Sequence, residues 1–301
     1  MGVRAWLVGL GLLLCAGVAF MSAGGAGANA PDEAPGTVVE RARWRTLADG
    51  RQIEMNVLVD SAVANPDAVM EMLAPAWVGA PGRVTAAYGQ STDRRKWAAA
   101  DIPVEVAYNP AADPPGMAGK PAVQWALALW SAIPSQYFRF SDEGNTTVTH
   151  SLCGIDDPDG QNTVRFSADL PSGALGVTCS VSDGTFVDGI RRITEFDLSL
   201  STSVNWSTGN STPPGSYDLN TTVLHELGHA LGLDHTTVSG AVMLAKLSSG
   251  QQRRVPQGDD IAGLQALYGL GSPPGPSPSP TGTPVPVGGF RLTMPVIARE
   301  P

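Results

Sequence analysis

The sequence predicts an α+β domain over residues 101–270, and three observations carry that prediction. Segments alternating apolar and polar residues, the period of strands, fill most of its length. They are interrupted once and then closed by stretches with helical spacing, a segregated order rather than a regular βαβ alternation. A tract of Pro, Gly, Ser and Thr, SPPGPSPSPTGTPVPVGG, then ends anything able to build a core.

Within that span IPVEVAY alternates and reads as the first strand. KPAVQWALALWSAI follows, with Val123, Ala126, Leu127 and Trp130 at helical spacing and Pro121 near its start. YFRFS is a second strand, DDPDGQNTVRF an acidic loop running into a third, and GALGVTCSV and ITEFDLSLST two more. YDLNTTVLHELGHALG is a helix with Asp218 or Asn220 as its cap. DDIAGLQALYG is the last helix: Asp259 can cap it, Ile261, Leu264, Leu267 and Tyr268 share a face, and Gly269 can end it.

The flanks read differently. Residues 1–28 have the form of a secretory signal peptide: Arg4, an apolar run from Leu7 to Phe20, then Ala26-Gly27-Ala28 as a cleavage site, with Ala28-Asn29-Ala30 as a later one. The run is short for a membrane span, so none is expected in the mature chain. Residues 29–100 are an N-terminal extension or pro-segment. In it QIEMNVLVD alternates like a strand, and PDAVMEMLAPAW has helical spacing with Pro66 in the first turn. Residues 271–288 are the linker and 289–301 a short tail, either disordered or an attachment signal. Once the signal is removed, Cys153 and Cys179 remain, which suggests one disulfide closing a loop of about 27 residues and adding roughly 3 kcal/mol. The chain of 301 residues is 43% hydrophobic with a formal charge of −9, which argues against nucleic acid or anionic membranes as partners.

Three of the four histidines fall in HELGHALGLDH, residues 225–235. On a helix, positions four apart share a face, so His225 and His229 can bind one ion. Glu226 lies at the edge of that face, within reach of a water on the ion. Gly232 accepts the conformation that ends a helix and turns the chain, which can return His235 as a third ligand. Three imidazoles with a fourth position open are a catalytic zinc pattern, whereas structural sites are closed by four protein ligands. Zinc lowers the pKa of a bound water and polarises a carbonyl, and Glu226 would accept the water's proton as general base and pass it to the leaving amine.

The full string H-E-x-x-H-x-x-G-x-x-H is the metzincin zinc signature. In SGAVMLAKL, Met243 most resembles the methionine turn of that group. Thr236 after the third histidine, the closing helix, and the order of IPVEVAY, the Trp-containing helix and ITEFDLSLSTSVNW resemble matrixins, the matrix-metalloproteinase-like group. The resemblance covers roughly residues 101–270. It implies a zincin-like catalytic domain with a twisted, mostly parallel sheet, an active-site helix and a C-terminal helix. It also implies that GALGVTC is an edge strand able to pair with an extended substrate. Two features depart from the pattern. Only His150 remains of the histidines that would hold a second, structural zinc. Residues 29–100 also lack the cysteine with which such pro-segments block the metal, so any latency must work differently.

The expectation is therefore a secreted or extracellular, monomeric zinc endopeptidase acting on protein or peptide substrates, with surface attachment through the tail as an option. It would carry one catalytic zinc on His225, His229 and His235, with Glu226 as base and Met243 beneath. Calcium is possible in the loop of Asp156, Asp157, Asp159 and Gly160, although the loop lacks EF-hand spacing and a distal Glu in register, and a solvated turn is the better reading. The rival reading is a zinc-containing binding or surface-attached module without catalysis.

Overall fold

The computed structural model describes residues 37–74, 78–79, 94–149 and 158–269. The expected signal peptide, linker and tail lie outside the described residues, as do Cys153, His150, Asp156 and Asp157. Twelve strands and four α-helices follow in the order β1 (Thr37–Thr46), β2 (Gln52–Asp60), α1 (Pro66–Leu73), β3 (Val78–Gly79), β4 (Arg95–Trp97), β5 (Val104–Asn109), α2 (Gly119–Ser131), β6 (Phe140–Asn145), β7 (Thr163–Ser167), β8 (Ala174–Val187), β9 (Ile190–Ser201), β10 (Trp206–Ser207), β11 (Tyr217–Asp218), α3 (Leu219–Ala230), β12 (Lys246–Ser248) and α4 (Gly258–Tyr268).

A ten-stranded mixed sheet runs β12-β1-β2-β8-β9-β7-β5-β6, with β3 on β1 and β4 on β9. Its β9-β7-β5-β6 half is parallel, and β8 joins it antiparallel. This is the α+β, largely parallel arrangement expected for residues 101–270. Two apolar clusters form, one on each face. In the larger, Val104, Val106, Val164, Phe166 and Leu198 of the sheet meet Val123, Leu127 and Trp130 of α2 and Val223, Leu224 and Leu227 of α3. The Trp130 indole N–H donates to the Leu224 carbonyl at 2.9 Å, fixing α2 against α3. In the smaller, Ile53, Met55, Val57 and Val59 of β2 meet Val69 and Met70 of α1 and Val177, Cys179 and Val181 of β8. That is the face the alternation in QIEMNVLVD predicts, because successive strand residues point to opposite sides.

Three expectations need correction, and one strand was not expected. β6 begins at Phe140, so the strand expected at YFRFS lies later: Phe138 is instead drawn into the core against Tyr268. Asp259 does not cap α4: Gln257 is the cap residue, and the carboxylate that reaches back to its N–H, at 2.7 Å, is that of Asp260. β8 is not an edge strand: β2 pairs along it from Gln52↔Ser182 to Val59↔Ala174. Finally, TVVERARWRT forms β1, a strand that its charged pattern did not announce.

Candidate metal centre

Helix α3 starts where the Asp218 carboxylate accepts from the Thr221 N–H at 2.8 Å. It presents His225, Glu226 and His229 to the interior, all at most 4% exposed. Its C-terminal carbonyls are tied down: the Trp97 indole donates to Ala230 at 2.8 Å and the Tyr268 hydroxyl to Leu231 at 2.6 Å. The chain then reverses at Gly232, at φ 94°. A Cβ there would sit 2.1 Å from the Arg95 carbonyl oxygen, so the position has no room for a side chain. The reversal returns His235 to the other two rings. His229 Nε2 lies 3.2 Å from His225 Nε2 and 3.1 Å from His235 Nε2.

Tautomers follow from the neighbours. His225 Nδ1 lies 2.7 Å from the Val242 carbonyl and His229 Nδ1 lies 2.9 Å from that of Leu233. A carbonyl only accepts, so both Nδ1 atoms carry hydrogens. Both Nε2 lone pairs are thereby aimed at the common point, the way metal-ligating imidazoles are oriented.

Met243 packs against α3 at Gly228. It is fully buried, and a Cβ on Gly228 would come within 2.3 Å of its sulfur, so helix and methionine pack without a gap. The turn is pinned by Asp260, whose carboxylate accepts from Val242 N–H at 2.9 Å and Met243 N–H at 3.0 Å, and by Thr236 N–H on the Met243 carbonyl at 3.0 Å. Asp260 thus sets the position of the very carbonyl that orients His225. Asp260→Ala would strand the two buried amides of Val242 and Met243, release the Gln257 amide at the helix start, and is expected to cost about 3 kcal/mol. It should also weaken metal binding by about 10–100-fold. Thermal unfolding and a zinc titration would read both, and unchanged zinc affinity would detach the turn from the site.

Glu226 is buried under β8. Its Oε2 accepts from the Thr178 hydroxyl, and its Oε1 has no hydrogen-bond partner among the described residues. The close approach is permitted by Gly176, where a Cβ would meet Oε1 at 3.2 Å. Burial and the nearby carboxylate of Glu40 raise the Glu226 pKa to about 8, against the opposing effects of His229 and Thr178.

Glu40 is the residue sequence reasoning missed. It comes from β1, its side chain is wholly buried, and its carboxylate meets all three rings. Oε2 lies 2.8 Å from His225 Nε2 and against His235 Nε2, and Oε1 lies 2.9 Å from His229 Nε2. The four groups can each offer one ligand atom to a single ion, all within 4.8 Å of one another. Burial opposes ionisation of Glu40, but the charges of the three histidines outweigh it and hold the carboxyl well below its ordinary value. Burial also opposes charge on His229, where the carboxylates of Glu40 and Glu226 prevail and raise it to about 9. At His235 burial prevails and lowers it to about 3. Nothing in TVVERARWRT marks Glu40 as different from any solvent-facing glutamate.

Of the acidic loop, Asp159 and Gly160 are described. Their N–H groups donate to the Glu195 carboxylate, at 3.2 and 2.6 Å. Cys179 is buried on β8. Among the described residues, no helix is long and apolar enough to cross a membrane.

A sequence model of the matrixin family matches residues 96–269. Human matrix metalloproteinase-20 is 32% identical over 151 residues, which cover 49% of this chain and 27% of that protein. Human neutrophil collagenase is 29% identical over 155 residues, 51% of this chain and 29% of that protein. The metalloendoproteinase 5-MMP of Arabidopsis thaliana is 45% identical over 58 residues, 19% of this chain and 16% of that protein. The chain therefore spans less than a third of the length of each of these curated relatives. The family match runs from β4 to the end of α4 and takes in the helix, the glycine reversal and the methionine turn, and on that ground the chain belongs to the matrixin family.

Proposed function

We propose that the chain is a secreted zinc-dependent endopeptidase in which His225, His229 and His235 hold the zinc and Glu226 is the general base. The observation that carries this reading is the convergence of the three Nε2 atoms. Nitrogens about 2.0–2.1 Å from a tetrahedral ion stand about 3.4 Å apart. The separations of 3.1 and 3.2 Å are close to that spacing, and two of the rings are already held with lone pairs inward. Family membership supports the same reading, since matrixins are zinc peptidases.

Bound there, zinc would acidify a water and polarise the scissile carbonyl. The chain's own residues supply the rest. Glu226 offers Oε1 as a proton acceptor while Thr178 holds Oε2, which keeps the carboxylate from rotating away. Export is supported by the apolar run ahead of Ala26-Gly27-Ala28, and a Cys153–Cys179 disulfide suits that compartment.

Metal analysis of the purified full chain should find one zinc per chain, lost in His229→Ala. Hydrolysis of an unfolded protein, assayed on this chain and on Glu40→Ala, should stop with 1,10-phenanthroline and return with added zinc. Stoichiometric zinc with no hydrolysis by either chain would favour the non-catalytic binding module.

A further inference from the structure

We infer that Glu40 is a fourth protein ligand to that zinc, and that the β1–β2 hairpin thereby holds the site closed until it is displaced. The inference rests on the zinc reading above and deepens it. A catalytic zinc keeps one position open for water or substrate, and four protein ligands close it. Here the fourth corner is filled from within.

The first argument is electrostatic. A buried carboxylate needs positive charge beside it. Among the described residues, the groups within ion-pair distance of Glu40 are the three imidazoles. Two of them hold their Nδ1 hydrogens on the Val242 and Leu233 carbonyls, so in their neutral form the Nε2 lone pairs face the carboxylate. Lone pairs and carboxylate oxygens repel one another unless a cation lies among them. Glu40 therefore stands where a ligand would stand once the rings are neutral, as metal binding requires.

The second argument is strand register. Glu40 pairs across with Leu58 of β2, and Leu58 pairs with Gly176 of β8, the glycine that makes room for Glu226. The sheet ladder itself sets Glu40 over the histidines. β2 covers β8 from Ala174 to Ser182, and β1 covers the strand after the methionine turn through Thr37↔Ser248, Val38↔Leu247 and Val39↔Lys246.

The third argument is that the hairpin is anchored independently of Glu40. Arg95 and Glu54 form a buried ion pair at 2.6 Å, the Tyr217 hydroxyl donates to Asp60 at 2.6 Å, and the apolar residues of β2 lie in the smaller cluster. Removing one carboxylate should open the metal without dislodging the strand.

Cobalt replaces zinc and reports its ligands by visible absorption. The cobalt-loaded full chain should show a spectrum indifferent to acetohydroxamate, a small chelator that needs an exchangeable position. Glu40→Ala should respond to it, Glu40→Gln should fall between, and hydrolysis of an unfolded protein should rise at least about tenfold in Glu40→Ala. A wild-type spectrum that shifts with acetohydroxamate overturns the inference whatever the variants do, and leaves the peptidase reading standing. A spectrum that opens only in Glu40→Ala, with no hydrolysis by either chain, upholds the fourth ligand and sinks the peptidase reading. Failure of wild type and variants alike to take up one cobalt overturns both.

Discussion

Glu226→Ala, made in the Glu40→Ala background, is expected to lose peptide hydrolysis by about 10²–10⁴-fold while keeping its zinc. The size follows from what the carboxylate touches. It is buried, it lies one residue from His225, and Thr178 holds one oxygen and leaves the other without a partner among the described residues. Alanine removes the acceptor and nothing that holds the ion, so zinc content and rate should separate. The background matters because a site closed by Glu40 would hide the loss. Hydrolysis that survives the substitution within a few-fold would move the base to another group. A parallel loss of zinc would mean that Glu226 acts on the metal itself.

Gly232→Ala is expected to be the most damaging small substitution in the domain. Two costs add. The backbone is at φ 94°, which residues with a Cβ rarely adopt. The new methyl would also stand 2.1 Å from the carbonyl oxygen of Arg95, backbone that cannot swing aside as a side chain could. Together these should cost about 3 kcal/mol or more, a fall in Tm of roughly 6–12 °C. The relaxation available to the chain is to move the segment carrying His235, so zinc affinity should fall with stability. Calorimetry with and without zinc measures both. An alanine variant that melts within 2 °C of wild type would show that β4 yields easily, against the packing described.

The family domain was legible because its residues carry chemistry that few other sequences combine. His225, Glu226, His229, Gly232 and His235 are fixed by spacing alone, and α3, α2 and the alternation in β2 and β9 follow from period. Glu40 was not legible, for a physical reason. Its role comes from the register of three strands joined across nearly the whole chain, and register is a property of pairing that no local window contains. The charged pattern of β1 even argues for solvent, since Glu and Arg there alternate with few apolar residues. Asp260 illustrates a lesser miss of the same kind. Two adjacent aspartates begin α4, and only tertiary contact with Val242 and Met243 tells which one is used. β8 was read correctly as a strand and wrongly as an edge, because what covers it lies more than a hundred residues earlier.

The smaller apolar cluster has a consequence for how the chain matures. Val177, Cys179 and Val181 of β8 are covered by β2 and α1, elements that precede the family domain in sequence. A nascent chain therefore has the cover for β8 in hand before β8 itself is made. The segment that shuts the site is also a template on which the central strand of the sheet can assemble, so latency and folding draw on one set of contacts. A molecule that shed the hairpin would gain its fourth coordination position and bare an apolar stripe at the same moment, tying its working lifetime to its solubility.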